Sequence, residues 1–276
     1  MKADQLRQDL QANGFVIIKK FCNFEVLQEL NNFFDFSRSP ENINSYEPGF
    51  AGPDGTFKHI RHVDLSDGFS KYIDLLNRKK IFKTLFNNNR AIITHSKISF
   101  KEPNTSSNWY PHSDNGYKKI PDFGYAFGLA LEDISANSGP LLIYPKSHLN
   151  KYKHKKIWDN YSSNFQVTVD EEVSLENGEK ILPLPIIMNA GDIAIWSLDT
   201  VHSSMDNTNL DTLRPFLIFE AQAFKLKLNE RGELPFIING NLRFIERLIL
   251  KYTITYENIL NFLISSMSKF KQFFKN

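Results

Sequence analysis

Between residues 91 and 224 the chain breaks into short runs rich in β-branched and aromatic residues, separated by Gly, Pro, Asn and Ser, with no helix-length apolar period between them. This pattern excludes a parallel α/β sheet, because every parallel crossover needs a long connection that is usually a helix. Strands are predicted over residues 91–100, 124–131, 141–144, 192–197 and 215–224. In the second of these, Tyr125, Phe127, Leu129 and Leu131 share one face, and Ala126, Gly128 and Ala130 share the other. Consecutive strands of this kind predict an antiparallel barrel or jelly roll, a mainly β core within an α+β chain.

Helices are expected on the amino-terminal side. Residues 4–13 place Leu6 and Leu10 on one helical face, and Gly14 offers a stop before the strand-like Phe15-Val16-Ile17-Ile18. Asn23 can cap a second helix with Phe24, Leu27 and Leu30 at helical spacing, and a third helical stretch is read over 71–88. Residues 39–57 hold Ser39-Pro40, Pro48-Gly49, Gly52-Pro53 and Asp54-Gly55, a density of turn formers that makes an irregular loop. With its flanks, 36–62, this loop reads either as a lid with His59, Arg61 and His62 at its base or as a surface excursion. A single domain is expected over 1–240. The stretch 241–276 reads as a basic amphipathic helical tail that packs on its own domain or on a partner.

Seven histidines against one cysteine, Cys22, mean that a metal here is held by nitrogen and oxygen, not by thiolates. The first residues lack the basic-then-apolar order of a signal peptide, and no uncharged apolar stretch is long enough to span a bilayer, so a cytoplasmic protein is expected. A formal net charge of +2 gives no general reason to expect nucleic acid, and a small molecule is the expected partner. Oligomeric state is not legible.

Two histidines and one carboxylate on one face of a metal are the donor set of non-haem iron(II) oxygenases. A His-x-Asp pair on a strand would supply two of them, since residues i and i+2 project the same way. Two such pairs occur, His112-Ser113-Asp114 and His62-Val63-Asp64. The first opens the strand-rich half, and downstream Gly191-Asp192 turns into an apolar strand that leads to His202-Ser203-Ser204, with Arg214 beyond. A third ligand from a distant strand suits a barrel, and a guanidinium can bind a carboxylate bidentately.

With these motifs in order, the sequence resembles the phytanoyl-CoA dioxygenase family of iron(II)- and 2-oxoglutarate-dependent oxygenases over most of residues 10–224. The resemblance is carried by Asn13-Gly14-Phe15 through Phe21, His112-Ser113-Asp114, Asn137-Ser138-Gly139-Pro140 through Pro145-Lys146-Ser147-His148, Gly191-Asp192, His202-Ser203-Ser204, Asn207 and Arg214. It implies a double-stranded β-helix core and iron ligation by His112, Asp114 and His202. It also implies that Arg214 pairs with the distal carboxylate of 2-oxoglutarate, helped by Ser204, with Ser99 near the co-substrate. O2 is the second co-substrate, and succinate and CO2 are released as a substrate C–H is hydroxylated. The retained carboxylate of Asp114 favours hydroxylation over halogenation. One departure is Lys146, where the family usually has glycine, which puts the local turn in question.

Trp109, Tyr110, Tyr117, Lys118, Trp196 and His62 are candidate substrate contacts, with Trp196 equally readable as core. The lysine-rich stretch 146–156 reads as a solvated loop, with attraction of an anionic substrate as its functional alternative. Three rival readings stay open: a barrel that binds without catalysis, an oxygenase acting on a protein or peptide, and the same chemistry giving desaturation, epimerisation or cyclisation.

Overall fold

The computed structural model describes residues 3–42, 59–61, 63–87, 91–106, 108–116, 123–159, 164–223 and 236–238. The chain divides into a unit Met1–Ile238 and a unit Asn239–Asn276, and the second, with the predicted tail, lies outside the described residues. No helix among the described residues is long and apolar enough to cross a membrane.

In chain order the elements are α1 (Ala3–Asn13), β1 (Phe15–Ile18), α2 (Phe24–Arg38), β2 (His59–Arg61), α3 (Asp67–Arg78), α4 (Ile81–Leu85), β3 (Ala91–Lys101), β4 (Trp109–His112) and β5 (Gly124–Ala130). They continue as β6 (Leu141–Ile143), β7 (His154–Asp159), β8 (Asn164–Val169), β9 (Leu184–Ile186), β10 (Ile193–Ser197), β11 (His202–Ser204), β12 (Arg214–Ala223) and β13 (Phe236–Ile238). All pairings are antiparallel. The larger sheet runs β1-β10-β5-β12-β3-β13 with β2 also on β3, the smaller runs β4-β11-β6-β9, and β7-β8 form a separate hairpin. This is the antiparallel jelly roll that the strand pattern predicts, in the two-sheeted double-stranded β-helix form that the family resemblance implies.

The two faces of β5 do separate as the alternation requires. Phe127, Leu129 and Leu131 join the core that α1 to α4 cover with Leu30, Phe34, Phe69, Tyr72, Leu76 and Phe82. Ala126 and Ala130 turn to the inner face with Ala194, Trp196 and Phe216, against Leu141, Ile143 and Ile186 of the smaller sheet. Small residues leave room here: a Cβ on Gly128 would stand 2.2 Å from the Phe216 ring.

Several local expectations are corrected. The α2 core face is Val26, Leu30 and Phe34, while Phe24 is 77% exposed, because a four-residue step follows the 3.6-residue turn better than the three-residue step 24-27-30. The stretch read as one helix over 71–88 starts earlier and is broken. Ser66 caps α3 by accepting from the Phe69 N–H (3.2 Å), and Lys80 at φ 59° ends the run before α4. The loop expected over 36–62 is shortened at both ends: α2 continues to Arg38 until Ser39, extended before Pro40, stops it, and His59–Arg61 is strand. Residues 43–58 and His62 lie outside the described residues. The 146–156 stretch is not all loop, since β7 begins at His154.

Asp192 fastens β1 to β10. Its buried carboxylate accepts from Lys20 N–H (2.7 Å), Asn189 N–H (2.8 Å) and Lys19 Nζ (2.8 Å). Burial pushes its pKa upward, but the Lys19 and backbone hydrogen bonds outweigh this and hold it below the ordinary value.

Candidate metal centre

His112 ends β4 and His202 begins β11, and the two are direct cross-strand partners, which sends both rings to the same face. Their ring centroids are 4.4 Å apart. Asp114 reaches them differently from the expected alternation along one strand. It sits in the turn after β4, which is closed by Gly116 N–H to Ser113 O (2.9 Å) and tied to the opposite wall by Asn115 N–H to Leu198 O (2.9 Å). One ligand atom from each of His112, Asp114 and His202 lies within 4.8 Å of the others, and His202 Nε2 is 3.8 Å from Asp114 Oδ1.

Both imidazoles are aimed by the backbone. His112 Nδ1 lies 2.7 Å from the Tyr110 carbonyl and His202 Nδ1 lies 3.0 Å from the Thr200 carbonyl. A carbonyl only accepts, so each Nδ1 carries the proton, and the lone pair of the neutral ring falls on Nε2. Burial, reinforced by the neighbouring His202, pushes the His112 pKa down to about 3 against the pull of Asp114, so the ring is neutral at neutral pH. Two imidazole nitrogens, each ring oriented through its Nδ1, together with one carboxylate fit a divalent first-row metal.

The surroundings bind the site to the motifs at the start of the chain. Gly14, at φ 82°, accepts from Thr200 Oγ1 (2.8 Å) and Ser197 N–H (2.9 Å) just before His202, and a Cβ there would stand 2.5 Å from His148 Nδ1. Ser147 Oγ accepts from the Val201 N–H (2.8 Å). Lys146, in the position where glycine was expected, adopts φ 66° itself, so the turn forms with a lysine held in the left-handed region. Buried Asn207 donates to the Lys101, Glu102 and Thr212 carbonyls, so its role is to tie β3 to the approach to β12.

Ser99 and Arg214 lie on the inner wall. Arg214 is buried, donates through Nη1 to the Ser99 carbonyl (3.3 Å), and its Nε has no hydrogen-bond partner among the described residues. Burial alone lowers its pKa to about 9. Ser204 Oγ accepts from Lys101 Nζ (2.9 Å). Trp109 stands beside the centre, 6.4 Å from the His112 ring, and Tyr110 serves it through its carbonyl. Trp196 combines both of its readings: it is buried in the inner cluster and 5.4 Å from His202. Tyr117, Lys118 and His62 lie outside the described residues.

Two residues at the site were not singled out from the sequence. Lys101 is buried on the inner face, and only its place two residues after Ser99 on β3 could have signalled it. His154, within the presumed solvated stretch, accepts at Nε2 from the Ser113 N–H (3.2 Å), while its Nδ1 donates to Tyr152 O (2.9 Å). No local pattern marks it, because β7 carries it to the ligand turn from a distant part of the chain.

A double-stranded β-helix with two histidines and an aspartate converging on its inner wall defines the class of non-haem iron oxygenases. Residues 10–215 match the phytanoyl-CoA dioxygenase family, and the chain belongs to that family. Phytanoyl-CoA dioxygenase 1 of Oryza sativa subsp. japonica is 25% identical over 241 residues, covering 74% of this chain and 83% of that protein. Among solved structures, the epimerase SnoN in complex with Fe3+, alpha ketoglutarate and nogalamycin RO shares the fold with TM-score 0.61 and 15% identity, over 80% of this chain and 83% of that one. EctD from S. alaskensis with 2-oxoglutarate and 5-hydroxyectoine gives TM-score 0.58 and 12% identity, over 81% and 76%. The carbocyclase SnoK from nogalamycin biosynthesis gives 0.59 and 16%, over 81% and 86%.

Proposed function

We propose that this protein is an iron(II)- and 2-oxoglutarate-dependent dioxygenase that hydroxylates an unactivated C–H bond of a small molecule. The observation that carries the reading is the pair of imidazoles, each held at Nδ1 by a backbone carbonyl, whose ligand atoms lie within 4.8 Å of each other and of an Asp114 carboxylate oxygen, within a barrel whose inner wall also buries Arg214. His112, Asp114 and His202 are the proposed iron ligands. Arg214, with the Ser204 hydroxyl, is the proposed partner of the distal carboxylate of 2-oxoglutarate, and Ser99 borders that co-substrate. When bound, iron with 2-oxoglutarate and O2 supplies the oxidising power for C–H cleavage, and succinate and CO2 leave. The chain's own part is to hold the donors on one side, orient the substrate and keep water out.

The reaction class leaves the outcome to substrate placement. Fold relatives include an epimerase and a carbocyclase, so epimerisation or ring closure is the second reading. Purified protein with iron(II), 2-oxoglutarate and O2 is expected to form succinate, and His112→Ala to abolish it. Retention of full turnover by His112→Ala would remove the ligand assignment.

A further inference from the structure

The indole of Trp196 carries a polar group that the ligand set and Arg214 leave unused. Trp196 is 1% exposed, and its Nε1 is buried with no hydrogen-bond partner among the described residues. The indole nitrogen can only donate, and a buried Trp N–H ordinarily finds an acceptor, because an unmet donor forfeits the hydrogen bonds it made in water. A phenylalanine would fill an apolar wall without that cost. An unmet donor beside a metal centre points to an acceptor that arrives with a ligand.

The contacts of the ring say which ligand, and which end of it. The Trp196 ring centroid is 5.4 Å from that of His202, one of the proposed iron ligands. Its Cζ3 faces Gly128, where an added Cβ would stand 3.0 Å from it and 2.2 Å from the Phe216 ring. Nε1 is on the opposite edge of an indole from Cζ3, so the N–H is turned away from Gly128. Phe216 in turn lies 5.8 Å from the Arg214 guanidinium carbon. The inner wall therefore runs from His202 through Trp196 and Phe216 to Arg214. A dicarboxylate held at Arg214 and reaching the metal passes along this wall, with Trp196 at its metal end.

Resting on the site assignment above, we propose that the Trp196 indole N–H donates a hydrogen bond to an oxygen at the metal-held, keto-carboxylate end of 2-oxoglutarate, so that Trp196 positions the co-substrate beside His202. A hydrogen bond to an oxygen that shares negative charge is stronger than one to a neutral acceptor. Arg214 fixes one end of a flexible chain, and a rigid donor at the other end fixes its rotation about the metal. Because the donor is already held by packing on Gly128, this order is built into the wall before the co-substrate arrives.

The test uses the full chain with Fe(II) in the absence of oxygen, titrated with 2-oxoglutarate, so that the iron-to-co-substrate charge-transfer band reports binding and nothing turns over. Two replacements separate the N–H from the ring: Trp196→Phe, and benzothienylalanine placed at residue 196, which keeps the shape of the indole with sulfur in place of N–H. Both should weaken 2-oxoglutarate binding by roughly tenfold. Both should also move the band to shorter wavelength, because the hydrogen bond stabilises the group that accepts the charge. Mn(II) affinity, measured by calorimetry without co-substrate, should stay within about twofold of the parent, since the donor serves the co-substrate and not the metal ligands. The proposal is overturned if both replacements keep the parent's affinity and band, which leaves the donor to a water or to the substrate. It is equally overturned if the isosteric analogue behaves as the parent while Trp196→Phe does not, which makes packing the cause, or if both lose Mn(II) affinity, which gives the indole to the His202 ring. Failure of the dioxygenase reading looks different: the parent protein itself would show no band with Fe(II) and 2-oxoglutarate.

Discussion

Lys101 and Arg214 stand directly opposite each other across β3 and β12, with only 2% and 4% of their surfaces exposed. Lys101 Nζ donates to Ser204 Oγ and to the Met205 carbonyl, and Arg214 Nη1 donates to the Ser99 carbonyl. Two buried cations in register repel each other, and a carboxylate between them would offset that repulsion. Ser204 Oγ accepts from Lys101, so its own proton remains available to an incoming carboxylate. Lys101→Met should therefore weaken 2-oxoglutarate binding by roughly tenfold or more. The rise in Tm that 2-oxoglutarate produces should shrink accordingly in thermal-shift titrations. An unchanged shift would make Lys101 only a brace for the end of β3.

His154 holds the ligand turn by its backbone. Its Nε2 accepts the Ser113 N–H, and the turn packs so closely that a Cβ on Gly116 would lie 2.1 Å from the His154 ring. Outer groups that orient a metal site commonly change affinity by about 10–100-fold when removed. His154→Ala should lower Fe(II) or Mn(II) affinity by about tenfold while the far-ultraviolet circular dichroism stays unchanged. Equal metal affinity in both proteins would assign His154 to the hairpin alone.

The left-handed Lys146 carries strain that glycine would not. A non-glycine residue in this region costs about 1–2 kcal/mol, partly offset by the greater chain entropy that glycine loses on folding. Lys146→Gly is expected to stabilise the protein by up to about 1 kcal/mol in urea denaturation, with the Ser147–Val201 hydrogen bond kept. A loss of stability would mean that the lysine side chain contributes more than its backbone costs.

Burial pushes the Cys22 thiol up to about 11, against a partial pull from Lys79. Only the thiolate reacts, and at pH 8 roughly one molecule in a thousand carries it. Native protein should be alkylated by iodoacetamide far more slowly than urea-unfolded protein at pH 8, with the native rate climbing as pH approaches 11. The sign for stability follows: between the ordinary thiol pKa and 11 the unfolded chain loses its proton first, so this group's contribution to stability falls as pH rises. A native rate equal to the unfolded one would contradict the burial.

The β core was legible because alternation along a strand is a local signal: Phe127 and Leu129 against Ala126 and Ala130 distinguish the helix-covered face from the inner face. The phase of α2 is not legible from apolar spacing alone, because Phe24 is apolar yet stands at the first position of the helix with 77% of its surface exposed. Lys101 escaped notice because lysine is ordinarily a surface residue and only its strand partner reveals the burial.

The sequence by itself determined the antiparallel strand pattern, the nitrogen-and-oxygen donor chemistry and the order of the motifs around His112, Asp114, His202 and Arg214. Those are properties of residue type and spacing. Tertiary structure alone decided that a turn, not strand alternation, delivers Asp114, that His154 props that turn, and that Lys101 and Arg214 meet on one inner wall. The physical reason is that strand register joins residues distant along the chain. Burial and the charge of neighbouring strands then set what each side chain can do, and neither is written in a residue's local sequence.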